Sequence, residues 1–423
     1  MTIIIDGTVG ANKAVVLDAN SKLPAIDGSQ VTALNASEVT TGSIATARID
    51  TGTTTGKVLV LDGSGNMPAI AAGAMTGVSS ATKSASDPTV ITNPATGLGT
   101  KWINTTSGEI FVCTDATTDA NVWTNVGAGT GDIEPWRYGG TQYGYVSGGS
   151  DGSAARDVVD KWSFPSGTAA TDVGNLTLSR HNPCGNQSGT HGYTEGGYGA
   201  TYSNIIDKVS FSSDGNSVDV GDLTTTPHGP ASSSSETHGY VSGGQIGSLF
   251  QDVVDKHLYS SDGNSTDVGN LTVGRQQASG QSSTTHGYTS GGNTGPNSDV
   301  IDKFSFSSDG DATDVGNLFE AQSDTAGASS TTEGFKAGGS GATSDTIQKF
   351  SFTSDGDATD VSNTATGRYG VVGASELTYG YVSGGRSSSN SNAIEKWAYT
   401  STNNATDVND LTLGRYEPAG QHY

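Results

Sequence analysis

Residues 286–318 read HGYTSGGNTGPNSDVIDKFSFSSDGDATDVGNL, and the chain writes this sentence six times. Double glycines stand at Gly148-Gly149, Gly196-Gly197, Gly243-Gly244, Gly291-Gly292, Gly338-Gly339 and Gly384-Gly385, spaced by 48, 47, 48, 47 and 46 residues. Ahead of each pair sits an aromatic: Tyr145, Tyr193, Tyr240, Tyr288, Phe335 and Tyr381. Behind each pair, past a variable stretch, an acid or amide precedes a lysine: Lys161, Lys208, Lys256, Lys303, Lys349 and Lys396. Each copy then ends in Asp-Val, at Asp172, Asp219, Asp267, Asp314, Asp360 and Asp407. A repeat of this length is one supersecondary unit that buries its apolar face only against neighbouring copies.

Each copy reads as four strands. HGYTSGG supplies one, and IDKFSF (301–306) supplies the next, with Phe304 and Phe306 on one face by the period-2 alternation of a strand. A Ser-Ser-Asp-Gly turn leads to TDVGNL (313–318), and a further strand follows an arginine, as in RQQASGQSS from Arg275. A period near 47 with Gly-Gly after the second strand resembles the Kelch repeat, although Asp-Val stands where Kelch repeats carry a Trp. The resemblance implies an all-β, six-bladed Kelch-like β-propeller over residues 132–423. The first copy starts at its second strand and a spare strand remains at Arg415–Tyr423, so the C-terminal strand is expected to close the ring and remove exposed edges.

Composition agrees with an all-β chain and limits its partners. Charged residues are 15% of the chain, against about a quarter in ordinary globular proteins, and glycine alone accounts for 61 positions. The formal charge of −23 argues against nucleic acid, whose phosphates demand a basic surface. No apolar run approaches the ~20 residues of a membrane span, and the start lacks the pattern of a secretory signal. Cys113 and Cys184 are expected in different domains as reduced thiols of a protein made in a cytosol.

The first 131 residues are different in kind. KAVVLDANSKLPAI from Lys13 is echoed by KVLVLDGSGNMPAI from Lys57, with a Thr-, Gly- and Ser-rich stretch between them. Apolar residues over 1–80 are too sparse to bury a core alone, which points to association. These units resemble the N-terminal stalks of bacteriophage tail fibres. That resemblance implies a virion-attachment segment, a homotrimer, other virion proteins as partners, and a virion location after synthesis in the host cytoplasm. Residues 81–131 read as a small antiparallel module with a Ser107-Gly108 hairpin and a minicore of Trp102, Phe111, Val112 and Trp123.

Catalytic signals are weak, and no cofactor is expected. The SSDGNS turns lack the later aromatic of a sialidase Asp-box, and His191, His238 and His286 share one repeat-equivalent position, as scaffold does. Asp309, Asp311 and Asp314, with Asp355, Asp357 and Asp360, are hard oxygen donors suited to calcium, but Asp-Gly turn chemistry explains their recurrence. The variable loops after each Gly-Gly and the segments before each first strand should emerge on one face, rich in Tyr, Ser, Asn and Arg. There the candidate receptor-binding residues are Arg180, His181, Tyr198, Tyr202, Phe250, Arg275, Arg368, Tyr369, Arg415 and Tyr416. The four arginines would favour an anionic glycan or phosphate-bearing polymer unless each pairs with an acid. The expectation is a phage fibre or appendage that binds a host surface glycan. A head fibre or capsid decoration protein, and a propeller enzyme degrading capsular polysaccharide, are the alternatives.

Overall fold

A computed structural model describes residues 81–423, apart from 128, 130–131, 134–135 and 342–343. The duplicated segment at 1–80 lies outside the described residues. The chain divides into two compact units, Met1–Glu134 and Pro135–Tyr423. The described residues are all β, with no helix.

In the first unit, β1 (Thr82–Ser84), β2 (Lys101–Asn104), β3 (Ile110–Asp115) and β4 (Val122–Asn125) form one sheet in that order. The β2–β3 hairpin turns through Gly108, whose φ of 82° lies in the left-handed region. The module is not wholly antiparallel, because β1 pairs parallel to β2. Its core is Phe111, Cys113 and Trp123, with Trp102 packed on it edge-to-face at 5.9 Å. Val112 alternates to the other side of β3 and is only half-buried, so Cys113 takes its expected place.

The second unit holds six four-stranded antiparallel sheets. Sheet I contains β5 (Tyr143–Ser147), β6 (Val158–Ser163) and β7 (Thr171–Asn175). Sheet II is β8 (Cys184–Gln187), β9 (His191–Glu195), β10 (Ile205–Ser210) and β11 (Val218–Asp222). Sheet III joins β12 (Ala231–Ser234), β13 (His238–Ser242), β16 (Val253–Leu258) and β17 (Thr266–Asn270). Between its middle strands rises a small hairpin, β14 (Gln245–Ile246) with β15 (Leu249–Phe250). Sheet IV is β18 (Ser279–Ser282), β19 (His286–Ser290), β20 (Val300–Ser305) and β21 (Thr313–Asn317). Sheet V is β22 (Ala326–Ser329), β23 (Glu333–Ala337), β24 (Thr346–Ser351) and β25 (Thr359–Asn363). Sheet VI is β26 (Tyr369–Ser375), β27 (Tyr379–Arg386), β28 (Ala393–Ala398) and β29 (Thr406–Asp410). The last strand, β30 (Ala419–His422), pairs with β5 and completes sheet I from the other end of the unit.

The repeated residues are the joints between sheets. Each aromatic ahead of Gly-Gly packs on an aromatic at or just beyond the third strand of the following sheet. The pairs are Tyr145–Phe211, Tyr193–Tyr259, Tyr240–Phe306, Tyr288–Phe352, Phe335–Tyr399 and Tyr381–Phe164, at 4.7 to 5.0 Å between centroids. The acid or amide before each lysine reaches back to the preceding sheet. Asp160, Asp207, Asp255 and Asp302 accept from both the backbone N–H and the hydroxyl of Thr412, Thr177, Thr224 and Thr272. Gln348 and Glu395 accept from the backbone of Phe319 and Ala365. A register shift in the pairing of the third and fourth strands falls immediately before every one of these residues. The extra residue of that shift is on the fourth strand, as Val173 is in sheet I, so the third strand keeps its alternation: Val159 faces the following sheet, Asp160 faces the preceding one, and both are fully buried.

The turn aspartates form a third joint, again between adjacent sheets. Lys161, Lys208, Lys256 and Lys303 donate to Asp214, Asp262, Asp309 and Asp355. The sixth and first copies lack that aspartate, and there the lysine is re-employed: Lys349 pairs with Glu333, and Lys396 sits 4.4 Å over the ring of Tyr379. Asp311 and Asp357 accept from Asn270 and Asn317, so these turn carboxylates are engaged within the scaffold.

Two hydrogen-bond paths run across the inner strands. One steps from Gln187 N–H to Ser234, Ser282, Ser329, Ser375 and finally the ring of His422. The other is purely backbone and returns to its start. Asn182 N–H donates to Glu417, Glu417 to Gly370, Gly370 to Asp324, Asp324 to Gln277, Gln277 to Gly229, and Gly229 to Asn182, at 2.6 to 3.0 Å.

Candidate recognition site

The arginines were expected on the surface, and the structure corrects that. Arg180, Arg275, Arg368 and Arg415 are 0 to 3% exposed. Each guanidinium meets a carboxylate of the adjoining sheet: Asp207 at 3.0 Å, Asp302 at 3.0 Å, Glu395 at 2.9 Å and Asp160 at 3.1 Å. Arg180, Arg275 and Arg415 also donate to the carbonyls of Thr194, Thr289 and Val146 at 2.8 Å. Burial pulls all four below the usual arginine range while the partner acids hold them up. They serve the sheet joints and are closed to a ligand.

The two copies without an arginine show the same logic. Pro227 stands at the arginine position beside Asp255, and burial raises that carboxyl. Gln322 stands at the next such position, where the acid has become Gln348 and a buried lysine, Lys336, donates to Gln322. Burial pushes the Lys336 ammonium down to about 7, against the pull of Glu320, Asp360 and Asp345.

What remains open to a ligand is a crown around a central cavity of about 90 Å³, lined by residues from all six sheets. The residues of the closed backbone circuit, Asn182, Gly229, Gln277, Asp324, Gly370 and Glu417, all have φ between 50° and 67°. Glycine takes this conformation freely, whereas other residues lose about 1–2 kcal/mol each. The side chains of Asn182, Gln277, Asp324 and Glu417 are therefore held in a conformation that Gly229 and Gly370 take without strain, at least cost for Asn182 and Asp324. One oxygen of Asp324 is buried with no hydrogen-bond partner among the described residues. Burial, reinforced by the Glu417 carboxylate, raises the Asp324 carboxyl to about 7, opposed by a hydrogen bond from Gln277.

Beside each circuit residue, a pair of residues faces across the crown: His181–Tyr198, His228–Gln245, Gln276–Asn293, Tyr369–Arg386 and Tyr416–Ser150, by backbone pairing. Ser323 and Ser340 complete the set, with hydroxyls 2.8 Å apart. Three of the predicted residues come together here. His181, Tyr198 and Tyr202 pack edge-on with His228, at ring separations from 5.0 to 6.3 Å. His181 Nδ1 meets Glu417 at 2.7 Å, and Asn182 meets His228 Nε2 at 3.1 Å. Burial and the neighbouring His181 lower the pKa of His228.

Tyr369 and Tyr416 form a second patch with Arg386, whose guanidinium lies 5.4 Å over the Tyr416 ring. Phe250 stands apart, half-buried in the β14–β15 hairpin beside the exposed Leu249. On the opposite side of the cavity, Tyr138 lines the opening, and its carbonyl accepts from His422 Nε2 at 2.7 Å. Sequence reasoning missed His228, Asp324, Glu417 and Arg386. For Asp324 and Glu417 a signal was available, because they stand in a column of the repeat (182, 229, 277, 324, 370 and 417) where no two neighbouring copies agree. No protein-family model matches the chain, and no curated protein matches it.

Proposed function

We propose that the chain is a bacteriophage virion appendage that recognises the surface of the host cell. In this reading the six sheets are the blades of a Kelch-like propeller. The closed backbone circuit, the six aromatic stacks and the pairing of β30 with β5 support that arrangement. The N-terminal segment joins other virion proteins as a homotrimer, in keeping with its sparse apolar content and its likeness to fibre stalks. The crown binds a host glycan, without catalysis.

One observation carries the reading. All six copies keep the aromatic stack and the acid-or-amide contact beneath, while the residues around the cavity differ from copy to copy and gather aromatic, amide, imidazole and carboxylate groups in one place. Exposed variable residues on a rigid repeated frame suit recognition. Replacing Tyr198, Tyr202 and Phe250 together by Ser should leave thermal melting unchanged and abolish adsorption to host cells. Adsorption that survives the triple change would overturn the assignment.

A second reading, cleavage of a surface polysaccharide, is favoured by the two carboxyls of Asp324 and Glu417. One is raised to about 7, as an acid–base pair requires. Release of reducing ends from host polysaccharide, lost in Asp324→Asn, would decide for it.

A further inference from the structure

The expected ligand was anionic because four arginines were placed on the crown. With those arginines buried against acids, the crown loses the positive charge expected of it. Among the polar side chains lining the cavity are Asp324, Glu417, Asn182 and Gln277; His181 and His228 contact Glu417 and Asn182 from outside it, and Tyr198 and Tyr202 pack on those two rings. Arg386 is the cation of the crown, and it lies in the separate Tyr369–Tyr416 patch under a cation–π contact. No arginine or lysine lines the cavity among the described residues, so an anionic polymer would meet no fixed cation there, on a chain of net −23.

Resting on the recognition reading above, we propose that this side of the crown seats a single uncharged sugar ring. The polar face of the sugar meets Asp324, Glu417, Asn182 and Gln277, and its C–H face lies on Tyr202 and Tyr198. Carboxylate and amide oxygens accept from sugar hydroxyls, and the amide nitrogens donate to them. Tyr202 is about one-third exposed and already packed edge-on against Tyr198 at 5.0 Å, so its free surface is held in place before binding. The cavity admits a few polar groups of the ligand, and Asp324 and Glu417 line it. Such a site rejects analogues that lack the matching hydroxyl, because its polar groups would then stay unpaired.

Backbone conformation supplies the means of testing this without unfolding the protein. Gly229 and Gly370 occupy the circuit positions equivalent to Asp324 and Glu417, with φ of 67° and 61° against 58° and 54°. A double variant, Asp324→Gly with Glu417→Gly, should therefore melt at or above the temperature of the native chain, because left-handed strain is relieved. Binding of neutral glucose, galactose, mannose and N-acetylglucosamine oligomers to the full chain is measured by saturation-transfer NMR, beside polysialic acid. The proposal expects at least one neutral oligomer to bind, polysialic acid not to bind, and the neutral signal to fall at least tenfold in the double variant. Tyr202→Ser, altering a partly exposed ring, should weaken the same oligomer and serves if the double variant fails to fold. Undiminished binding in both variants, or binding confined to polysialic acid, overturns the proposal. So does adsorption to host cells with no neutral oligomer bound, which leaves the recognition reading standing. A native chain that does not adsorb to host cells at all overturns both.

Discussion

The two ends of the six-sheet unit are built from the same chain under opposite rules. At the end of the Asp-Gly turns, four of the six joints between sheets are the same lysine–aspartate pair, and at the two joints where the aspartate is lost the lysine has another partner. At the cavity end, the circuit positions hold Asn, Gly, Gln, Asp, Gly and Glu, and the four non-glycine residues hold a backbone conformation that glycine takes without strain. Substitution at the first end is compensated by the frame. At the second it accumulates, and the frame absorbs the strain. A repeated scaffold thus serves as its own control, because each position can be compared with five counterparts in the same molecule.

The comparison can be broken in three graded ways. Deleting Tyr416–Tyr423 removes β30, the Glu417 link of the backbone circuit and the closing partner of β5. Paired backbone groups and buried apolar surface would be exposed together. Thermal melting should fall far more than for loss of an exposed tail, with aggregation seen by light scattering. A smaller effect is expected at Lys336, whose burial is intrinsic to the one copy that lost both arginine and acid. With its pKa lowered to about 7, the native state releases a proton that the unfolded chain keeps up to ~10.4. Stability should therefore rise with pH between those values, by up to ~1.4 kcal/mol per unit. Lys336→Val, the residue found at the equivalent positions 146, 241 and 382, should abolish that rise and be the more stable form below pH 7. Denaturant unfolding at pH 6.5 and 9.5 checks it. The smallest change is Lys303→Ala, which opens one joint with an exposed aspartate and should cost no more than ~1 kcal/mol in the same assay.

The frame was legible in the sequence because its residues recur. Gly-Gly, the aromatic, the acid-lysine pair and Asp-Val marked every sheet, and the spare C-terminal strand pointed to its pairing with β5. The arginines were misplaced for an equally physical reason. Repetition alone does not reveal burial, and because each sheet is covered on both sides, Asp160 and Asp302 are buried as fully as their apolar neighbours Val159 and Ile301. In the small module the expected minicore held Val112 beside its neighbour Phe111, whereas alternation from Phe111 leads to Cys113, the residue that is buried. The crown was only half legible. Its tyrosines stood out by residue type, but Asp324 and Glu417 look ordinary until their backbone conformation is known.

The central claim, that joints carry stability and the crown carries recognition, is tested by melting and adsorption measured side by side on two variants of the full chain. Asp302→Ala leaves Arg275 buried without its partner and should lose about 3–5 kcal/mol, while the molecules that stay folded still adsorb to host cells. Tyr198→Ser with Tyr202→Ser should melt like the native chain and fail to adsorb. Equal loss of stability in both variants, or adsorption retained in the second, would contradict the account.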